Sequence, residues 1–340
     1  MSISYKQWGT IDGEPIYLYT LSDKIIVNIC NYGGTIVGIQ ARDRAGKLDD
    51  VVLGFESLEG YLGSKFYHGA TIGRYANRIG GGRFTLDEVE YDLPRNDGLN
   101  HLHGGFKGFD KRVWSAEIVD DVSIRLHLLS PDGEEAYPGE LEVSVVFTVI
   151  GDRLEVDYFA LTDKTTVVNL TNHAYFNLGN SETILGHDLW IDSDYYTPVN
   201  NGLIPTGVLE PVEGSPFDFR DKTRIGSRIN ADNSQLVLGN GYDHNYVLNQ
   251  VSNPQIAITD PASGRVLEVS TTMPGVQFYT GNFLDGKENG RKGVIGFRSG
   301  LCLETQFYPD SPNKPEFPSP ILRPGERYIE KTVYRFTVVS

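Results

Sequence analysis

Between Trp114 and Asn177 the chain carries four β-type runs, Val122 to Leu129, Leu141 to Ile150, Leu154 to Leu161 and Thr166 to Asn177, separated only by short turn signals such as Pro131-Asp132-Gly133, Gly151-Asp152 and Asp163-Lys164. Parallel neighbours need a crossover of a dozen residues or more, which these turns are too short to supply, so the strands must meander antiparallel. The same pattern flanks this block. Alternating runs fill Pro15 to Arg42, broken at Gly33-Gly34, and return after Asp243 at Tyr246 to Leu248, Gln255 to Thr259, Arg265 to Thr272, Gly275 to Thr280, Gly300 to Tyr308 and Tyr328 to Val339. Arg83 to Leu93 reads as a hairpin turning near Asp87-Glu88, and Leu185 to Pro198 adds a further strand or two. Helix is expected only as short pieces, at Ser57 to Leu62 and within Asp221 to Asn230. Asn96 to Phe109 and Gly202 to Asp221 read as loop and connection. With 38 Gly, 19 Tyr and 16 Phe against 2 Met, the balance favours turns and aromatic-rich strands. The expected fold is all-β, a large, twisted, two-layered antiparallel sandwich with very few short helices and a concave face. No repeat or linker interrupts it, so residues 1–340 are expected to form a single domain.

Asn169 to Leu178 offers the first functional signal. At period two, Asn169, Thr171, His173, Tyr175 and Asn177 share one face, with Leu170, Ala174, Phe176 and Leu178 opposite. Neutral amide, hydroxyl, imidazole and phenol groups in a row suit a groove for a neutral polyhydroxylated ligand. A strand with one satisfied histidine accounts for the same letters. In Leu301 to Tyr308, Glu304 shares a face with Gln306 and Tyr308 between apolar neighbours. A carboxylate there is either half of an ion pair or a catalytic group with a displaced pKa.

The formal charge of −15 disfavours nucleic acid and anionic membrane as partners, since both require a basic surface. Cys30 and Cys302 are too few for a disulfide framework or a cysteine zinc site, and no basic leader or long apolar run is present. A cytoplasmic location is expected. Of seven histidines, His68, His127, His187 and His244 lack a distinguishing context. His101 and His103 sit two apart before Gly104-Gly105. That spacing admits a metal, but further ligands at sensible spacing are missing, and a glycine turn bringing backbone and one imidazole to a ligand is the favoured reading. Taken singly, Arg78 reads as a structural ion pair and Asp243 as an Asx turn.

Taken in order, Gly73-Arg74-Tyr75-Ala76-Asn77-Arg78-Ile79, Asn100-His101-Leu102-His103-Gly104-Gly105 with Gly108-Phe109-Asp110, Thr171 to Leu178, Gly241-Tyr242-Asp243-His244, Gln277-Phe278 and Leu303-Glu304-Thr305 closely resemble the aldose 1-epimerases, or mutarotases, along essentially the whole chain. The resemblance implies the galactose mutarotase type of β-sandwich, with a sugar on its open face and neither metal nor organic cofactor. It implies Glu304 as general base, His173 as general acid and His103 assisting. Asn77, Arg78, Asp243 and Gln277 would hold sugar hydroxyls, while His101 is left to turn packing. The implied reaction interconverts α and β anomers of free aldohexoses such as D-galactose and D-glucose by ring opening and reclosure, with Glu304 as carboxylate and His173 as imidazolium. The expected partner is a monosaccharide, and the protein itself a monomer or homodimer. A glycoside hydrolase would instead need two carboxylates flanking the bond, a non-catalytic sugar-binding module would need neither Glu304 nor His173, and a relative acting on hexose 6-phosphates would need a basic phosphate pocket.

Overall fold

The structure, a computed structural model, describes residues 2–339. Its backbone is a nine-stranded sheet with every neighbouring pair antiparallel, in the spatial order Ser115–Ile118, Ser123–Ser130, Leu141–Ile150, Arg153–Thr162, Tyr328–Val338, Arg265–Thr271, Ile256–Thr259, Asp188–Ile191 and Thr223–Arg224. Two five-stranded antiparallel sheets accompany it. One runs Ser2–Ile11, Glu14–Ser22, Ile26–Cys30, Thr35–Arg42, Leu48–Asp50; the other runs Glu210–Pro211, Tyr195–Thr197, Asp243–Val247, Gly275–Tyr279, Cys302–Gln306. Alternation explains the layering. In Leu141–Ile150 the residues Leu141, Val143, Val145, Phe147 and Val149 are buried, whereas Glu142 and Ile150 are exposed, as a pleat with one face on a core requires. These side chains join Val27, Ile29, Ile39, Val276, Phe278 and Leu303 in one apolar cluster drawn from all three sheets. The result is the expected all-β sandwich.

Several local expectations are met. The hairpin Arg83–Leu86 with Val89–Asp92 turns at Asp87 and Glu88, whose φ values of 47° and 66° are those of a primed turn. The first helix is Leu58–Gly63. Among the described residues no helix is long and apolar enough to cross a membrane.

Two expectations are corrected. The second helix is not within Asp221 to Asn230, which holds the strand Thr223–Arg224 and a 3-10 turn at Ile225–Ser227; it is Ser234–Gly239. Asn233 caps it by accepting from the Gln235 and Leu236 N–H groups, and Asn240 closes it in the left-handed region. Asn169 to Leu178 is not a two-faced strand. Only Thr171–Asn172 pairs within a regular ladder, and all ten residues are buried. Asn169 and Asn177 spend their amides on loop carbonyls, at Ala76 and Phe307 and at Ser181 and Ser299 respectively. Their polarity therefore serves backbone satisfaction, not a groove.

The sheet ending in Cys302–Gln306 positions the site. Its register places Asn245, Gln277 and Glu304 in one cross-strand row and Asp243, Tyr279 and Cys302 in the next. With Phe278 and Leu303 committed to the core, these rows lie on the opposite face, which the segments around Tyr67, Asn77, His103 and Phe283 cover.

Candidate active site

Over that face lies a cavity of about 220 Å³ lined by Asn77, Arg78, His103, His173, Asp243 and Glu304, with Tyr67, Tyr175, Tyr279, Phe283, Asp97 and Lys65 among its other walls. It is smaller than the roughly 300–1,000 Å³ typical of drug-sized ligands, so its contents must be compact. An open groove of about 1160 Å³ adjoins it, sharing Arg78, Asp97 and Phe283; it lacks the carboxyl and imidazole groups that give the small cavity its chemistry.

Six of the seven residues expected from the sequence meet at this wall. Gln277 stands outside the lining and donates from Nε2 to Asp243 Oδ1 at 2.7 Å. It orients Asp243 from behind. His173 Nε2 is 3.7 Å from Glu304 Oε1, both side chains nearly fully buried, and Glu304 Oε2 has no protein partner. The His103 ring packs edge-on against His173 and Tyr67, at centroid distances of 5.3 and 4.7 Å. Arg78 donates from Nε to Asp97 Oδ2 at 2.7 Å; no protein acceptor engages its terminal nitrogens among the described residues, which leaves them for a ligand.

Backbone strain sets the loops. Tyr67, Asn77 and His103 have φ of 57°, 66° and 52°, a region costing non-glycine residues about 1–3 kcal/mol when the surroundings impose it. Asn77 and His103 impose it on each other. The Asn77 N–H donates to His103 Nδ1 at 3.1 Å, and the His103 N–H donates back to the Asn77 carbonyl at 3.2 Å. Gly104 has φ 83°, and a Cβ there would lie 1.8 Å from the Gly73 carbonyl oxygen. The glycine turn thus admits a neighbouring backbone rather than a ligand, and so delivers His103. His101 is turned away, its Nδ1 against the Pro94 carbonyl at 2.7 Å and its Nε2 against the Tyr137 hydroxyl at 2.8 Å. Arg74, from the same motif as Arg78, is buried and ties down the Ser130, Pro131 and Pro138 carbonyls.

Ligand atoms of His103, His173 and Glu304 lie within 4.8 Å of one another, so a divalent ion must be considered. Because Nδ1 of His103 accepts from a backbone N–H, its ring proton belongs on Nε2, and a protonated nitrogen has no lone pair to give. The set offers hydrogen-bonding groups and fits a metal poorly.

Burial sets the protonation states. It pushes Glu304 well above the ordinary carboxylate range, reinforced by Asp243 and opposed by Arg78. It raises Asp243 as well, and drives His173 down to about 3 with His68 adding to the effect. His103 is lowered chiefly by burial, then by His173 and Arg78. Burial therefore favours carboxylic acid and neutral imidazole, the reverse of the ionised pair expected from the sequence, because desolvation penalises both charges. The proton count is the same in either form.

The residues missed in the sequence are walls. Tyr279 follows Gln277 by two on one strand and was readable at period two. Tyr67, Asp97 and Phe283 sit on irregular segments with no period to betray them.

Fold and cavity define a β-sandwich enzyme of carbohydrate isomerisation. A family model described as aldose 1-epimerase matches residues 17–335. The chain is 49% identical over 322 residues to the galactose mutarotase of Rattus norvegicus, covering 93% of this chain and 92% of the relative. It is 39% identical over 334 residues to the aldose 1-epimerase of Escherichia coli K12, covering 96% of each. The galactose 1-epimerase structure from Lactobacillus acidophilus superposes with a TM-score of 0.89 at 31% identity, over 100% of this chain and 99% of that one. The chain belongs to the aldose 1-epimerase family. It is an isomerase that interconverts the α and β anomers of free aldoses.

Proposed function

We propose that Glu304 and His173 carry the proton transfers of anomer exchange on free aldohexoses such as D-galactose and D-glucose. The observation behind this reading is the 3.7 Å approach of Glu304 Oε1 to His173 Nε2 inside the small cavity. With one proton between them, moving it from Glu304 to His173 produces carboxylate and imidazolium without uptake from solvent. Glu304 then takes the proton of the C1 hydroxyl as His173 gives one to the ring oxygen. The bond from C1 to the ring oxygen breaks, the aldehyde turns about C1–C2, and the reverse transfers close the ring on the other face and restore both groups. Each positioned transfer is worth typically 10² to 10⁴ in rate. His103, as an Nε2–H donor, assists at the ring oxygen or a neighbouring hydroxyl.

Arg78 and Asp243 hold hydroxyls through charge-assisted hydrogen bonds, with Gln277 acting through Asp243 and Asn77 both lining the pocket and setting the His103 tautomer. Keeping the rest of the ring fixed while C1 turns is the positional contribution. Galactose enters as a candidate through the names of the relatives. We read residues 1–340 as one functional unit acting in the cytoplasm as monomer or homodimer, in keeping with the span of the family match and two buried free thiols. Polarimetry on freshly dissolved α-D-galactose and on methyl α-D-galactoside tests the reaction class. Rotation should relax faster with enzyme for the free sugar and stay constant for the glycoside, which cannot open. Release of reducing sugar from the glycoside would indicate a hydrolase instead.

A further inference from the structure

The strand Cys302–Gln306 touches His173 at both ring nitrogens. Glu304 Oε1 faces Nε2 at 3.7 Å, and two residues earlier on the same face Cys302 Sγ lies 3.5 Å from Nδ1. Alternate residues of a strand stand roughly 6.5–7 Å apart, a spacing that lets one strand bracket an imidazole edge to edge. Cys302 is completely buried, and among the described residues its sulfur is the one side-chain hydrogen-bond partner of His173 Nδ1. We propose that Cys302 is a positioning residue for His173, holding Nδ1 so that Nε2 is presented to Glu304 and to the sugar.

The choice of sulfur has a chemical consequence. A carboxylate or carbonyl at Nδ1 would orient the ring equally well, but would also stabilise the imidazolium and make it a reluctant acid. A thiol is a weak donor and a weak acceptor; it orients without stabilising the charge. Burial holds Cys302 well above the ordinary thiol range, so the S–H stays intact. The other groups facing His173 are Glu304, His103, Tyr67, Tyr175 and Tyr279, with His68 behind Tyr175. None of these replaces the contact at Nδ1.

This inference rests on His173 being a proton-transfer group, and the test separates the two claims. Cys302→Ala and Cys302→Ser are compared with His173→Gln and wild type in polarimetric kinetics on D-galactose from acid to neutral pH. Cys302→Ala should lose roughly tenfold to a hundredfold in kcat with KM unchanged, because the hydroxyl-holding residues are untouched. Cys302→Ser, nearly isosteric, should recover most of that loss and move the acid limb of the pH profile upward, since a hydroxyl oxygen accepts from imidazolium Nδ1–H better than sulfur does. Should the Ala variant fail to fold, the limb shift of the Ser variant decides. Wild-type kcat and an unmoved limb in the Cys302 variants, with His173→Gln inactive, would overturn the positioning role alone. A fully active His173→Gln would overturn both claims.

Discussion

His173 Nε2 and Glu304 Oε1 face each other at 3.7 Å with side chains only 5% and 3% exposed, and both groups are displaced toward their neutral forms. On the proposed mechanism the pair works while it holds one proton. On the acid side it gains a second when His173 protonates, and its value of about 3 places that event far below the ordinary imidazole range near 6.5. On the basic side it loses its proton as pH passes the raised value of Glu304. Since kcat/KM reports the free enzyme, its pH profile should stay flat through about pH 6.5 and fall only in stronger acid. An acid limb centred near pH 6.5 would show that burial does not govern His173.

Asp243 and Gln277 should respond as a coupled pair. Hydrogen bonds to charged groups contribute about 1.5–3 kcal/mol, so Asp243→Ala should reduce kcat/KM on D-galactose by roughly ten- to a hundredfold. Gln277→Leu, which only releases Asp243 Oδ1, should cost less. The double variant should be no worse than Asp243→Ala, the non-additive result expected of residues acting through one contact.

Arg74 and Arg78 lie four residues apart and should fail differently. Arg78→Ala, losing a cavity-lining guanidinium whose terminal nitrogens have no protein acceptor among the described residues, should raise KM with little change in urea midpoint. Arg74→Ala leaves the Ser130, Pro131 and Pro138 carbonyls without their donor and should lower unfolding free energy by about 3 kcal/mol or more. Equilibrium urea unfolding with parallel kinetics separates the two.

Gly104→Ala places a methyl 1.8 Å from the Gly73 carbonyl oxygen in a left-handed turn. The turn must move, and His103 with it. The expected result is a lower Tm together with reduced kcat, and a variant with neither would show that the turn has room to spare.

The strands were legible wherever one face is buried and one wet. Leu141–Ile150 and the hairpin around Asp87-Glu88 stand where alternation and turn residues put them. Asn169 to Leu178 was legible in part: His173 and Tyr175 line the cavity, but complete burial erases the difference between faces, and Asn169 and Asn177 satisfy backbone instead. The helix Ser234–Gly239 carried signals in Asn233 and Asn240-Gly241, but six residues of it are too short for a helical period to show. Glu304 was conspicuous as a carboxylate among apolar neighbours. Its resting protonation was not, because desolvation by distant segments is invisible in a linear string. Gln277 could be placed on the correct face, yet only the folded structure shows it bonded to Asp243 and set outside the cavity lining.

The most direct test is the optical-rotation decay of fresh α-D-galactose with wild-type, Glu304→Gln and His173→Gln proteins of verified fold. Each substitution removes one of the two proposed proton carriers, so each should reduce kcat by about 10² to 10⁴ and the double variant should lose little more. Undiminished decay with either single variant would contradict the account.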